Sequence, residues 1–225
     1  RESRIVITSV GIDTGRFSPG PPNPRVLEEL GLVEGAPVVM LVSRFDNRKT
    51  RPAQVLIESI PAVIGKVPQV TAVLVGRGKD FDALKAQAEA TNASLGREAV
   101  RVLGYRSDVA ELLTVARVVV GTGKAGLEAM ASGKPLIGAG RFGTTGLVGP
   151  DNAQLAEDTL FADHGPARPY DAGAMAGELE RLFTDPALEQ KLQRFGPEFA
   201  SRFDIEKITD GVLMLYQQKI DEAQR

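Results

Sequence analysis

The stretch Val118 to Ala139, VVVGTGKAGLEAMASGKPLIGA, constrains the fold more than any other in the chain. Three β-branched residues run into Gly121-Thr122-Gly123, a helical run follows from Lys124 to about Ser132, and Gly133 with Pro135 stops it before a new apolar run. That order is strand, turn, helix, strand. The glycines let the backbone turn at the strand's carboxyl end, so the unpaired N–H groups of the new helix face a crevice suited to an anion. Within the helix one acid, Glu128, stands among Ala125, Leu127, Ala129, Met130 and Ala131. A carboxylate in such surroundings costs energy unless something hydrogen-bonds it. We read Glu128 as facing a ligand.

The same alternation continues on either side. Arg25 to Leu32 reads as a short helix ended by Gly31, and Pro37 opens the unbroken apolar run VVMLVS. From Pro52 to about Lys66 the residues Val55, Leu56, Ile60, Val63 and Ile64 recur at helical spacing, with Pro61 expected to kink or interrupt the run. Val70 to Val75 and Val100 to Leu103 read as strands. Phe81 to Ala93 and Asp108 to Val115 read as helices, the second with Ser107 as its N-cap. Gly140 to Gly146 reads as a flexible loop, and Thr159-Leu160-Phe161 as a short sixth strand. The remainder is read as helices broken near Asp185-Pro186 and Gly196-Pro197, with the last starting at about Ile205. Near-continuous apolar strands alternating with helices predict an α/β fold, a doubly wound parallel sheet with helices on both faces.

Composition removes several classes of function. Without cysteine there is no thiolate chemistry, and a single histidine, His164, makes a zinc site unexpected, so no metal is assigned. We expect His164 at the surface or in a structural role. A net charge of −2 argues against a nucleic-acid partner. No run of about 18 apolar residues and no charged-then-apolar leader is present, so the expectation is a cytoplasmic chain with no membrane segment. Residues 1–150 carry 19 basic and 14 acidic side chains, against 8 and 15 in 151–225, which directs the search for an anion site to the first part.

In a doubly wound sheet, ligands bind at the carboxyl ends of the strands near the reversal of strand order. The expected strand ends carry a cation five times: Arg44 with Lys49, Arg77 with Lys79, Arg106, Lys124 and Arg141. Like charges gathered on one edge repel one another, which points to a polyanionic ligand such as a pyrophosphate. Gly121-Thr122-Gly123-Lys124-Ala125-Gly126 also fits the dinucleotide fingerprint, so an NADP-dependent oxidoreductase stays open as an alternative. A non-catalytic nucleotide-sensing domain is another.

These residues resemble the donor-binding, carboxyl-terminal half of glycosyltransferases with the GT-B fold, of the retaining family 4 type. Val10-Gly11-Ile12-Asp13 with Phe17 and Pro19 is similar to the crossover into that half, and Leu127-Glu128-Ala129-Met130-Ala131-Ser132-Gly133-Lys134-Pro135 to the most specific motif. The resemblance implies a Rossmann-like domain, one half of a GT-B architecture, that binds a nucleotide-diphosphate sugar. UDP is the expected nucleotide and no further cofactor is implied. Arg44 and Lys49 would clamp the diphosphate, and the N–H groups around Gly123, Lys124 and Ala125 would face it. Glu128 would accept hydrogen bonds from the ribose, and the base would lie at the strand ends marked by Gly76 and by Gly104, Tyr105 and Arg106. The family's other glutamate, eight residues earlier, falls on Val120, which accepts no hydrogen bond from a sugar. The catalytic residues stay unassigned. By the same resemblance, residues 1–24 form a crossover strand and linker, 25–204 the nucleotide-sugar domain and 205–225 a carboxyl-terminal helix. The partner would be an amino-terminal, acceptor-binding half absent from this chain, and the isolated chain is not expected to be fully active.

Overall fold

A computed structural model describes residues 10–165 and 167–223, apart from the side chains of Arg48 and Ala223. The crossover strand expected within residues 1–24, read over RIVITSV at 4–10, falls almost wholly outside this range. The elements in order are α1 (Pro24–Glu29), β1 (Val38–Val42), α2 (Arg51–Ile64), β2 (Thr71–Val75), α3 (Phe81–Leu95), β3 (Val100–Leu103), α4 (Val109–Val115) and β4 (Val118–Gly121). They continue with α5 (Gly123–Ala131), β5 (Leu136–Gly140), β6 (Gly143–Leu147), α6 (Ala153–Asp158), α7 (Ala172–Thr184), α8 (Pro186–Ala200) and α9 (Ile205–Ala223).

The strands form one six-stranded sheet in the order β3-β2-β1-β4-β5-β6. The first five are parallel, and β6 returns antiparallel along β5. Because side chains alternate along a strand, β1 feeds two cores. Val39 and Leu41 pack among residues of α2, α3 and α7, whereas Val38 and Met40 pack among residues of α1, α4, α5 and α8. This is the doubly wound sheet the sequence predicts, and the order reverses between β1 and β4, where a crevice opens.

Several local expectations are corrected. Gly140 to Gly146 is a hairpin, exposed at its Arg141-Phe142 tip, that leads into the buried strand β6, and not a flexible loop. Its polar groups are satisfied internally: the Thr144 hydroxyl donates to the Gly138 carbonyl at 2.7 Å and accepts from the Gly146 amide at 2.9 Å. Thr159 to Phe161 is a turn and not a strand, with Leu160, Phe161 and Ala162 at φ of 47°, 60° and 72°. The helix interrupters are overridden by packing. Pro61 lies in the last turn of α2 and the helix continues past it, and α8 runs through Gly196-Pro197. Gly196 is where α8 meets α5, since a Cβ there would stand 2.7 Å from the Met130 carbonyl oxygen. The N-cap of α4 is Asp108 rather than Ser107. Residues expected to be mere linker contribute to the core: Ile12 and Phe17 are buried. Ile12 donates to the Phe203 carbonyl at 2.8 Å and accepts from the Ile205 amide at 2.8 Å.

Candidate functional site

The crevice at the switch point is lined by Leu41 and Ser43 at the end of β1, Gly121 and Thr122 at the end of β4, and Ala139, Gly140 and Arg141 at the end of β5, with Lys49 and Asp163 beside them. Helix α5 starts here. Thr122, in an extended conformation, occupies its N-cap without a side-chain cap. The Gly123 amide donates to the Leu160 carbonyl at 3.1 Å and the Gly126 amide to the Thr122 carbonyl at 3.2 Å. Among the described residues the amides of Lys124 and Ala125 have no acceptor. Two unpaired donors at the positive end of a helix dipole form an anion seat.

The cations expected around this seat divide into two kinds. Arg44 is exposed at the end of β1, and Lys49 sits in the short 3-10 turn Asn47–Thr50 that leads into α2. The Lys49 ammonium donates to Asp163 Oδ2 at 2.9 Å, so it is anchored within the crevice. The Lys124 Nζ lies 3.6 Å from Glu128 Oε1, one helical turn away. Arg77 lies over the Tyr105 ring, its guanidinium carbon 4.8 Å from the centroid, and Arg141 lies over Phe142 at 4.6 Å. Arg106 corrects the expectation of a free cation at every strand end. It is held by both carboxylate oxygens of Glu29 and by Asp108, with an Nη2 to Oδ2 distance of 2.6 Å to the latter. The guanidinium draws the Glu29 and Asp108 carboxyls below their ordinary values, and they in turn hold its own pKa up. Its charge is spent on closing α1 and the start of α4 against the end of β3.

Glu128 is where the sequence expects a costly acid. Its side chain is 13% exposed. Burial pushes its carboxyl above the ordinary range, against the pull of Lys124 and Arg16. The Arg16 guanidinium donates to the Ser107 carbonyl at 2.8 Å, which fixes it between α5 and the β3 end of the rim.

Gly76 and Gly104 meet where the loops after β2 and β3 cross, the Gly76 amide lying 3.3 Å from the Gly104 carbonyl oxygen. At Gly76 and Gly78 the backbone of Ser43 and Phe45 leaves no room for a side chain, because a Cβ would run into their carbonyl oxygens. The Phe45 amide accordingly donates to the Arg77 carbonyl at 2.9 Å, and the Asp80 amide to the Phe45 carbonyl at 2.9 Å. These bonds lock the loop carrying Arg44 to the loop carrying Arg77. Tyr105 beside them is 65% exposed, with the Arg77 guanidinium over one face of its ring.

Asp163 is the residue that sequence reasoning missed. It is a buried acid at the end of the turn after α6, flanked by apolar Phe161 and Ala162, which is the same signal that singles out Glu128. His164 beside it is largely exposed, with its Nε2 3.8 Å from Asp163 Oδ2. No cluster of three metal-ligating side chains occurs among the described residues, and no helix among them is long and apolar enough to cross a membrane.

The family model described as glycosyl transferases group 1 matches residues 36–185. No curated protein matches the chain. Among solved structures, a glycosyltransferase from Rickettsia africae superposes with a TM-score of 0.72 at 17% identity, over 97% of this chain and 58% of its own. HepE from Anabaena in complex with UDP gives 0.67 at 22% identity, over 92% and 56%. The carboxyl-terminal domain of a glycosyl transferase group 1 family protein (LpcC) from Francisella tularensis gives 0.66 at 22%, over 87% of this chain and 100% of its own. The chain thus spans just over half the length of the first two and all of the third.

Proposed function

The chain belongs to the glycosyl transferases group 1 family, and on that premise we propose that its crevice binds the nucleotide-diphosphate sugar donor of a retaining glycosyltransferase, with UDP as the nucleotide. The observation that carries this reading is the pair of unpaired amides, Lys124 and Ala125, opening α5 at the switch point with the Lys49 ammonium across the crevice. Amides fixed by the fold need no reorganisation to receive negative charge, and the Lys49 ammonium, paired with Asp163 in the unliganded protein, is within the same crevice to join them. That is the requirement for stabilising a diphosphate as it leaves the anomeric carbon. Arg44 at the end of β1 adds charge from the neighbouring loop. Glu128, in the same helix as the amides, accepts the ribose hydroxyls. Tyr105, farther along the same rim, offers a stacking face to the base.

The chain corresponds, in this reading, to the carboxyl-terminal half of a two-part enzyme. A second half would close over the crevice and bring the acceptor. The similarity to HepE, solved with UDP, supports the choice of nucleotide, and the Francisella domain, solved as a carboxyl-terminal piece, supports the half-enzyme reading. Membership in a transferase family sets aside the NADP alternative left open by the glycine fingerprint.

Titration calorimetry with UDP, GDP, ADP, NADPH and uridine tests the reading. UDP is expected to bind and uridine to bind at least tenfold more weakly, because the diphosphate makes the charge-assisted bonds. Binding of NADPH in preference to UDP, or equal affinity for uridine and UDP, would overturn it.

A further inference from the structure

One carboxylate in the crevice has an oxygen without a use. Asp163 Oδ2 accepts from the Lys49 ammonium at 2.9 Å, while its Oδ1 is buried with no hydrogen-bond donor among the described residues. A buried acceptor left unpaired is costly, and more so when it carries charge. The backbone that delivers it is costly as well, since Leu160, Phe161 and Ala162 all occupy the left-handed region that non-glycine residues avoid.

Besides its local hydrogen bonds to α6 and Thr159, contacts to α5, to the β5–β6 hairpin and to β5 hold that backbone in place. The Leu160 carbonyl accepts the Gly123 amide, the Ala162 carbonyl accepts the Phe142 amide at 3.2 Å, and Phe161 is buried against β5. Gly138 and Gly140 make room for it. A Cβ on Gly138 would stand 3.3 Å from that of Phe161, and one on Gly140 would stand 2.5 Å from the Ala162 carbonyl oxygen. The glycines of β5 and the strained turn together set one acid into the wall of the crevice.

Its place along the rim indicates what it meets. Along the sheet order, Tyr105 follows β3, α5 with Glu128 and its amides follows β4, and Asp163 lies beside the end of β5. In the donor-site reading the base takes the first of these and the ribose and diphosphate the second, which leaves the transferred sugar for the third. The oxygen without a donor needs a hydrogen-bond donor, and phosphate has none to give. Val120, where the resemblance sets the sugar-reading glutamate, is fully buried in β4 and cannot serve.

We propose that Asp163 reads the transferred sugar of the donor, its carboxylate accepting a ring hydroxyl when Lys49 turns from Oδ2 to the diphosphate. The assignment rests on the donor-site reading above. It makes Asp163 a specificity residue and Lys49 the link between recognition of diphosphate and of sugar.

Calorimetry with UDP, UDP-glucose, UDP-galactose and UDP-N-acetylglucosamine tests it on the wild type, Asp163→Asn and Lys49→Gln. Asp163→Asn keeps the shape of the side chain, and thermal unfolding checks that the turn survives. The expected result is that this variant weakens at least one UDP-sugar about tenfold relative to UDP, the loss of one charged hydrogen bond, while UDP itself binds equally or more tightly. Lys49→Gln is expected to weaken UDP and UDP-sugars alike. If Asp163→Asn leaves the ratio of UDP-sugar to UDP affinity within twofold for all three sugars, or weakens UDP and every UDP-sugar in proportion, the assignment is wrong. Failure of UDP to bind the wild type is a different outcome: it removes the donor-site reading, and the role of Asp163 with it.

Discussion

Glu128→Ala is expected to weaken UDP binding by about 1.5–3 kcal/mol, the range for a hydrogen bond to a charged group, or roughly 10- to 150-fold in Kd. The carboxylate is mostly buried and is compensated, among the described residues, by Lys124 at 3.6 Å and the field of Arg16. In the donor-site reading the ribose hydroxyls would complete its partners. A UDP analogue lacking the ribose hydroxyls should bind wild type and variant equally; a variant that loses as much affinity for the analogue as for UDP would exclude the ribose as the partner.

The same acid gives a second readout. Burial raises the folded-state pKa of Glu128 above its unfolded value. Its contribution to stability is then fully present below the ordinary glutamate range and is lost as pH rises through the folded pKa. Glu128→Gln should therefore raise the melting temperature of the unliganded protein at neutral pH while weakening UDP. Binding to the wild type should also fall on acidification as the carboxylate takes up a proton, a component that Glu128→Gln abolishes. Unchanged melting in the variant would mean that Glu128 is better solvated than its surroundings imply.

Phe161→Ala should destabilise the fold by about 3–5 kcal/mol, the range for removing a buried aromatic, as measured by chemical denaturation. The ring is 1% exposed, meets Phe199 edge-on at 6.4 Å and packs against the faces of Gly126 and Gly138. It also holds three consecutive residues in left-handed geometry, which the truncated chain has less reason to maintain. Because the Leu160 carbonyl accepts the first amide of α5, relaxation of this turn also loosens the anion seat, and UDP affinity should fall with stability. A loss below about 1 kcal/mol, under the range for buried aromatics, would show that the turn is held by its hydrogen bonds alone.

How much of this was legible in the sequence depends on what each segment's residues depend on. The strands β1 and β2 are apolar runs, and their positions were readable to within a residue because both faces are covered; β3, an edge strand carrying Arg101, was readable from Val100, Val102 and Leu103 and from the Gly104 that closes it. The helix bearing Glu128 was equally readable, since the glycines before it and Gly133 after it mark both ends. β6 was not, because its threonines and glycines look like a loop until β5 is there to accept their hydrogen bonds. The turn Leu160–Ala162 was unreadable in principle: residues that favour neither turns nor positive φ adopt it only because Gly123, Phe142 and the glycines of β5 enforce it.

The same distinction divides the site. Arg44, Lys49, the α5 amides and Glu128 follow from strand ends and a helix start, which local sequence marks. The neutralisation of Arg106 by Glu29, 77 residues away, and the pairing of Lys49 with Asp163, 114 residues away, are long-range events that local sequence does not mark. Asp163 escaped notice because it follows a segment mistaken for a strand.

A structure of the protein with UDP bound tests the central claim most directly. The expected result is a diphosphate within hydrogen-bonding distance of the Lys124 and Ala125 amides and the Lys49 ammonium, with the ribose hydroxyls on Glu128. A nucleotide seated elsewhere, or one in the crevice with its phosphates turned away from the start of α5, would contradict it.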